Sequence, residues 1–226
     1  MEDSVITITG RGDIKVKPDV TRVELTLETL HDTYREAYEQ AKSNADTLTE
    51  VMREAGLDPK LPKTTTFEIE KKTRSDYDKD KHYIGQVFIG FQLKHKVRID
   101  LGMDNVLLHR VLSLVSERLK QAEIDLAYTV RDPHPAELEL VAKAVKDAKE
   151  KAEIMVEACG CKLGMVKSID YAVKQIDIIY HSRHRREAGY LYEVAGEPED
   201  ALDVNPDDIE ASDRVTIQWY ITKADA

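Results

Sequence analysis

Cysteine is scarce in this chain: two in 226 residues, Cys159 and Cys161, with one glycine between them. A disulfide framework is thereby excluded, since residues two apart can be bridged only with strain. The pair is not a Cys-x-x-Cys redox motif either. Basic charge is also in deficit. The formal net charge is −10, which repels a polyanion, and nucleic-acid binding draws much of its affinity from Lys and Arg meeting phosphates. No nucleic-acid partner is therefore expected.

Long apolar runs are missing as well. No segment approaches the roughly 20 apolar residues that span a bilayer. Met1-Glu2-Asp3-Ser4 leads straight into Val5-Ile6-Thr7-Ile8, with neither a basic start nor an apolar stretch of signal length. The expectation is a cytoplasmic protein with reduced thiols. Hydrophobic residues at 42% and charged residues at 34% fit a globular chain rather than a disordered one.

Several sequence devices for chemistry are absent. Gly10-Arg11-Gly12-Asp13 has neither the further glycines of a dinucleotide fingerprint nor the Lys-Ser/Thr of a phosphate loop. It reads as a glycine turn between two short strands. There is no Gly-x-Ser-x-Gly elbow and no His-Glu-x-x-His. Asp207, Asp208 and Glu210 lack the glycine and spacing of a calcium loop.

What is present is strand and helix patterning. Val23, Leu25 and Leu27 alternate with polar residues, as do Val87 through Ile99 at odd positions; period two marks half-buried strands. Phe67 and Ile69 open another strand, interrupted by the polar run Thr73 to His82, so these segments read as a long hairpin with a charged connection. Thr33-Tyr34-Arg35-Glu36 is a capping box, and Gly56 supplies a left-handed stop. A second helix follows Gly102. Asp132-Pro133 opens a third, with Asp as N-cap and Pro at the first helical position. Its apolar stripe reads Leu138, Val141, Val145, Ala148, Ala152, Met155 and Cys159, which makes Cys159 a small buried hydrophobe.

A last strand holds Val215, Ile217, Trp219 and Ile221. The order predicts an α+β fold: an antiparallel or mixed sheet with helices packed on one face. A single domain is expected, with a charged loop excursion at about 182–212.

The candidate functional residues lie at the start of that excursion. His181, Arg183, His184, Arg185 and Arg186 form a basic cluster flanked by Tyr180 and Tyr190. Two histidines three apart share a face on a helix and could hold a metal. The further ligands of a zinc site are missing nearby, however, so no metal and no cofactor is assigned. The cluster reads instead as a ligand or interface contact, or as a partner for the acidic run from Glu193 to Asp213. His95, on the apolar register of a strand, reads as a hydrogen-bonded core or interface residue. No catalytic residue is assigned.

Taken together, the segments resemble the SIMPL-domain family, which includes bacterial oxidative-stress defence proteins and periplasmic immunogenic proteins. The resemblance is carried by Ile6-Thr7-Ile8-Thr9-Gly10-Arg11-Gly12, by Val16-Lys17-Pro18-Asp19 and by Lys63-Thr64-Thr65. The helix ending Cys159-Gly160-Cys161-Lys162-Leu163-Gly164 and the strand Val215-Thr216-Ile217 complete it. It covers roughly residues 5–222. It implies an α+β domain, ring-like homo-oligomers in some members, and no defined biochemical activity. The resulting expectation is a non-enzymatic, self-associating protein, linked to stress tolerance. A small-ligand module using the basic loop 181–186 is the alternative, and a metal-dependent enzyme using His181 and His184 a remoter one.

Overall fold

A computed structural model of the chain describes residues 4–171, 178–181, 186–187 and 205–223. The backbone groups into two compact units. One comprises Met1–Pro18, Thr129–Ile179 and Pro206–Ala226; the other comprises Asp19–Tyr128 and Tyr180–Asn205. Both are a sheet covered on one face by helix, so the fold is α+β. Among the described residues, no helix is long and apolar enough to cross a membrane.

In the first unit, strand β1 (Val5–Val16) pairs antiparallel with the last strand, β9 (Ile209–Lys223), along its whole length. Strand β6 (Cys161–Asp170) flanks β9 on the other side, giving the order β1-β9-β6. Helix α3 (His134–Ala158) crosses this sheet with Ala136, Leu140, Ala144, Ala148, Ala152 and Val156 buried. These fall on one i+4 ridge.

The buried stripe differs from the one read by hydrophobicity. Leu138 and Met155 are exposed, and so is Cys159. Gly10 and Gly12 explain the choice. They are not a turn: both sit inside the continuous strand β1 and face the helix. A Cβ on Gly10 would lie 2.1 Å from the Ala144 carbonyl oxygen, and one on Gly12 would lie 2.1 Å from that of Leu140. Opposite Gly10 the ridge carries the small side chains of Ala144 and Ala148, while Leu140 and Val156 fill it toward either end.

The N-terminus of α3 also differs in detail. Pro133 occupies the cap position without a side-chain bond, while Asp132 Oδ1 accepts from the His134 N–H at 3.1 Å.

In the second unit, β2 (Val20–His31), β3 (Lys63–Tyr77), β4 (Tyr83–Gly102) and β5 (Ala122–Thr129) form a sheet in the order β3-β4-β2-β5. Two short pieces extend it: β7 (Ile179–His181) beyond β5, and β8 (Arg186–Glu187), also paired with β5. Helices α1 (Tyr34–Glu54) and α2 (Asn105–Arg118) cover one face. Val23, Leu25 and Leu27 of β2 and Val97, Ile99 and Leu101 of β4 meet Leu48, Val51 and Met52 of α1 and Leu108, Val111 and Val115 of α2. The capping box at Thr33 and Glu36 is formed in both directions, and Gly56 takes φ +80.

Two boundaries move from their expected places. The polar run after Thr73 does not interrupt its strand: β3 continues to Tyr77, and only residues 78–82 turn. The expected excursion is shorter at its far end, because residues 209–212 already belong to β9. Residues 182–185 and 188–204 lie outside the described ones.

Candidate functional site

The β3–β4 hairpin outgrows its sheet. β2 follows β4 only as far as the His31–Phe91 pair, whereas β3 continues alongside β4 to the Tyr77–Tyr83 pair. Beyond Phe91 the sheet is therefore a two-stranded arm. Gly90 marks the departure. Its φ is +141 and a Cβ there would sit 2.6 Å from the His31 carbonyl oxygen, so glycine lets the end of β2 pass. Ile89 is left unopposed between the Lys72–Gly90 and Thr73–Phe88 pairs. Such a bulge increases local twist.

The arm exposes several large apolar side chains. Tyr77, Tyr83 and Ile84 are 56%, 59% and 62% exposed, and Val87 and Phe88 are exposed too. Edge-to-face ring contacts run along it, with Tyr77–Tyr83 centroids 6.0 Å apart and Phe88–Phe91 5.3 Å apart. Tyr34 of α1 continues the series, 6.1 Å from Phe91.

At the tip, Asp78 closes the turn. Its carboxylate accepts from the backbone N–H groups of Asp80 and His82 at 2.8 and 2.9 Å, and Lys81 adopts φ +63. The bond from the His82 backbone, foremost, holds the Asp78 carboxyl below the ordinary value. Asp78, Asp80 and His82 bring ligand-type atoms within 4.8 Å of one another. All three are exposed, and the Asp78 oxygens are already committed to the turn.

The outer edge of the arm is β3 itself, the end strand of its sheet. Apart from Lys63 at its start and Asp76 near its end, its charges are sorted: Glu68 and Glu70, then Lys71, Lys72 and Arg74. All five are exposed, and none makes an ion pair among the described residues.

This frame contains the sequence segments singled out above: the β1 strand with Gly10 and Gly12, the Lys63 turn into β3, the small-residue helix and the final strand. Residues 6–219 match the family described as SIMPL, protein of unknown function (DUF541). The chain belongs to the SIMPL family. No curated protein matches it. The family description assigns no activity, so the function of this SIMPL chain has to be argued from its own surfaces.

His95 of β4 is 5% exposed. Its Nε2 lies 3.1 Å from Thr64 Oγ1, its ring meets Phe67 edge-on at 5.6 Å, and its Nδ1 has no partner. Burial pushes its pKa below the usual value. A ring set against a hydroxyl and a phenyl ring, with no carboxylate to orient it as a base among the described residues, is a core arrangement.

The SIMPL chain also has an open cleft of about 610 Å³ in its second unit. The end of β2 (Leu27–His31), Gln40 and Asn44 of α1, and Glu117–Gln121 line it. Gln40 Nε2 donates to Asn44 Oδ1 at 2.9 Å, and Arg118 at the rim is paired with Glu54.

Of the residues nominated by sequence, the structure places the backbones of two. His181 ends β7, and Arg186 opens β8 opposite Ile124 of β5. Arg183, His184 and Arg185, and all five side chains, lie outside the described residues. Sequence reading passed over the arm because Val87 and Ile89 carry the same alternation as the buried part of β4. A usable signal was there: the hairpin strands are longer than their neighbour β2, and so could not all be covered.

Proposed function

We propose that this SIMPL chain is a non-enzymatic protein that self-associates through the β3–β4 arm. One observation supports this above others. The arm is a two-stranded ribbon bearing Tyr77, Tyr83, Ile84, Val87 and Phe88 on its surface. A lone hairpin is marginally stable in water, and each such side chain gains about 1.5–3 kcal/mol when fully buried. Contact with a second copy would bury them. Closed homo-oligomers are the commonest assemblies of soluble chains. The one described buried histidine meets Thr64 and Phe67, and burial lowers its pKa, which favours a structural role over a catalytic one. The link to stress tolerance enters through the family resemblance.

The test is absolute mass by light scattering over a range of protein concentration and salt. A defined oligomer is expected. A monomer at the highest concentration overturns the reading.

A small-ligand role has one observation in its favour. Arg186 pairs with Ile124, three residues beyond Gln121 of the cleft, so the basic segment ends near a concave surface. If a compound raises the melting temperature, Arg183→Ala with Arg186→Ala should abolish the shift. An unchanged shift removes this alternative.

A further inference from the structure

We propose that β3 pairs with β3 of a second copy, antiparallel and centred on Lys71, so that two sheets become one. The inference rests on the self-association reading and goes further, by naming the strand and its register.

An edge strand presents a row of unpaired N–H and C=O groups, and proteins ordinarily block it with charge, lysine above all. The charges on β3 do not block every approach. Between Thr66 and Ser75 they are arranged in two blocks of opposite sign, Glu68 and Glu70 before Lys71, Lys72 and Arg74. A twofold axis normal to the sheet brings together only residues on the same face, hence of the same parity. It also keeps the helix-covered faces of the two copies on one side.

With the axis at Lys71, Glu70 faces Lys72 of the other copy and Glu68 faces Arg74. Each contact occurs twice by symmetry, giving four opposite-charge pairs on the solvent face. On the helix-side face, Ile69 meets Thr73 and Phe67 meets Ser75. Sliding the axis to Glu70 sets Glu70 against itself, and sliding it to Lys72 opposes Glu68 to Asp76. Either shift gives only two opposite-charge pairs in place of four. The chosen register has one unfavourable contact, Lys71 against its own copy.

β3 is regular over this span. The irregularity at Lys72/Thr73 skips a residue of β4, and the other two lie at Thr64/Thr66 and Asp76/Tyr77. The outer edge from Thr66 to Asp76 can therefore form an uninterrupted ladder.

Charge reversal with rescue tests the register in the full chain. Glu70→Lys should weaken association by roughly tenfold or more, because two attractive cross-strand pairs become repulsive. Adding Lys72→Glu should restore it. Lys71→Thr should tighten association by removing the like-charge contact. All three positions are exposed, and circular dichroism checks that the fold is unchanged. In a Cys159→Ser, Cys161→Ser background, the Lys71→Cys variant should be joined to its counterpart by a short bifunctional thiol reagent, and the Thr73→Cys variant should not.

If the wild type is monomeric, self-association fails and the register falls with it. If the wild type is oligomeric but Glu70→Lys has no effect, or the Thr73→Cys variant is joined more readily than the Lys71→Cys variant, the register alone is overturned. An oligomer that survives Glu70→Lys yet dissociates on substitution of Ile84 and Phe88 would place the contact on the face of the arm instead.

Discussion

Gly10 faces the Ala144 carbonyl, and a methyl group on its Cα would stand 2.1 Å from that oxygen and 2.5 Å from the Ala148 nitrogen. Both obstacles are backbone, so neither can rotate away. Gly10→Ala should therefore force β1 off α3 and destabilise the first unit by about 3 kcal/mol, the upper end for overpacking. Urea denaturation followed by Trp219 fluorescence measures this directly, since Trp219 is buried in the same cluster. An unchanged midpoint would mean that the helix and strand are farther apart.

His95 makes stability depend on pH. Its folded pKa is lowered from 6.5 by burial, so below pH 6.5 the unfolded chain takes up a proton that the folded chain resists. Stability from this group is complete above pH 6.5 and declines as pH falls from there to the folded pKa. His95→Leu should remove that contribution, flattening the fall of the denaturation midpoint as pH drops below 6.5 relative to wild type. A slope identical to wild type would assign the dependence to other groups.

Thr33 and Glu36 close the start of α1 reciprocally, at 3.2 and 3.1 Å. Thr33→Ala should cost about 1 kcal/mol, and Thr33→Ser should cost far less. Chemical denaturation of the two variants side by side distinguishes loss of the hydroxyl from loss of the methyl group.

The arm makes a different prediction. Ile84→Ser and Phe88→Ser remove exposed apolar groups, so the fold should be little affected while the oligomer mass falls toward that of one chain. Sedimentation velocity beside thermal melting separates the two quantities. A drop in melting temperature with mass unchanged would show that these side chains support the hairpin and not an assembly.

Much of the second unit was legible in its sequence, because its signals are local and redundant: a capping box, a glycine stop, and alternation in β2 and β4 that agrees with burial. The α3 stripe was not. Reading Leu138, Val145 and Met155 as inward follows hydrophobicity, but the governing fact is a close approach to Gly10 and Gly12, far earlier in the chain. Only the packed structure joins the two. The outward alternation of the distal arm has the same source. Period two says nothing about whether a neighbour covers a face, and the bulge at Ile89 breaks the period itself: Phe91 pairs with Lys71 but Val87 with Arg74, so Val87 does not share the face of Phe91 and Leu93. The basic cluster from His181 to Arg186 stood out by composition, and only the backbones at its two ends could be placed.

The pairing of β1 with β9 also sets an order of events during synthesis. Val5 is matched with Tyr220 and Val16 with Ile209, so the earliest strand must wait for the latest. The second unit draws its helices and main strands from one continuous stretch, Asp19–Tyr128, and can begin folding while the ribosome is still at work, as N-terminal units generally do. At about 5–20 residues per second, β1 then spends several seconds or more without its partner, its glycine-containing face open to solvent. A ribosome stalled just before residue 209 should hold a chain whose Asp19–Tyr128 segment resists protease while the segment Met1–Pro18 is cut.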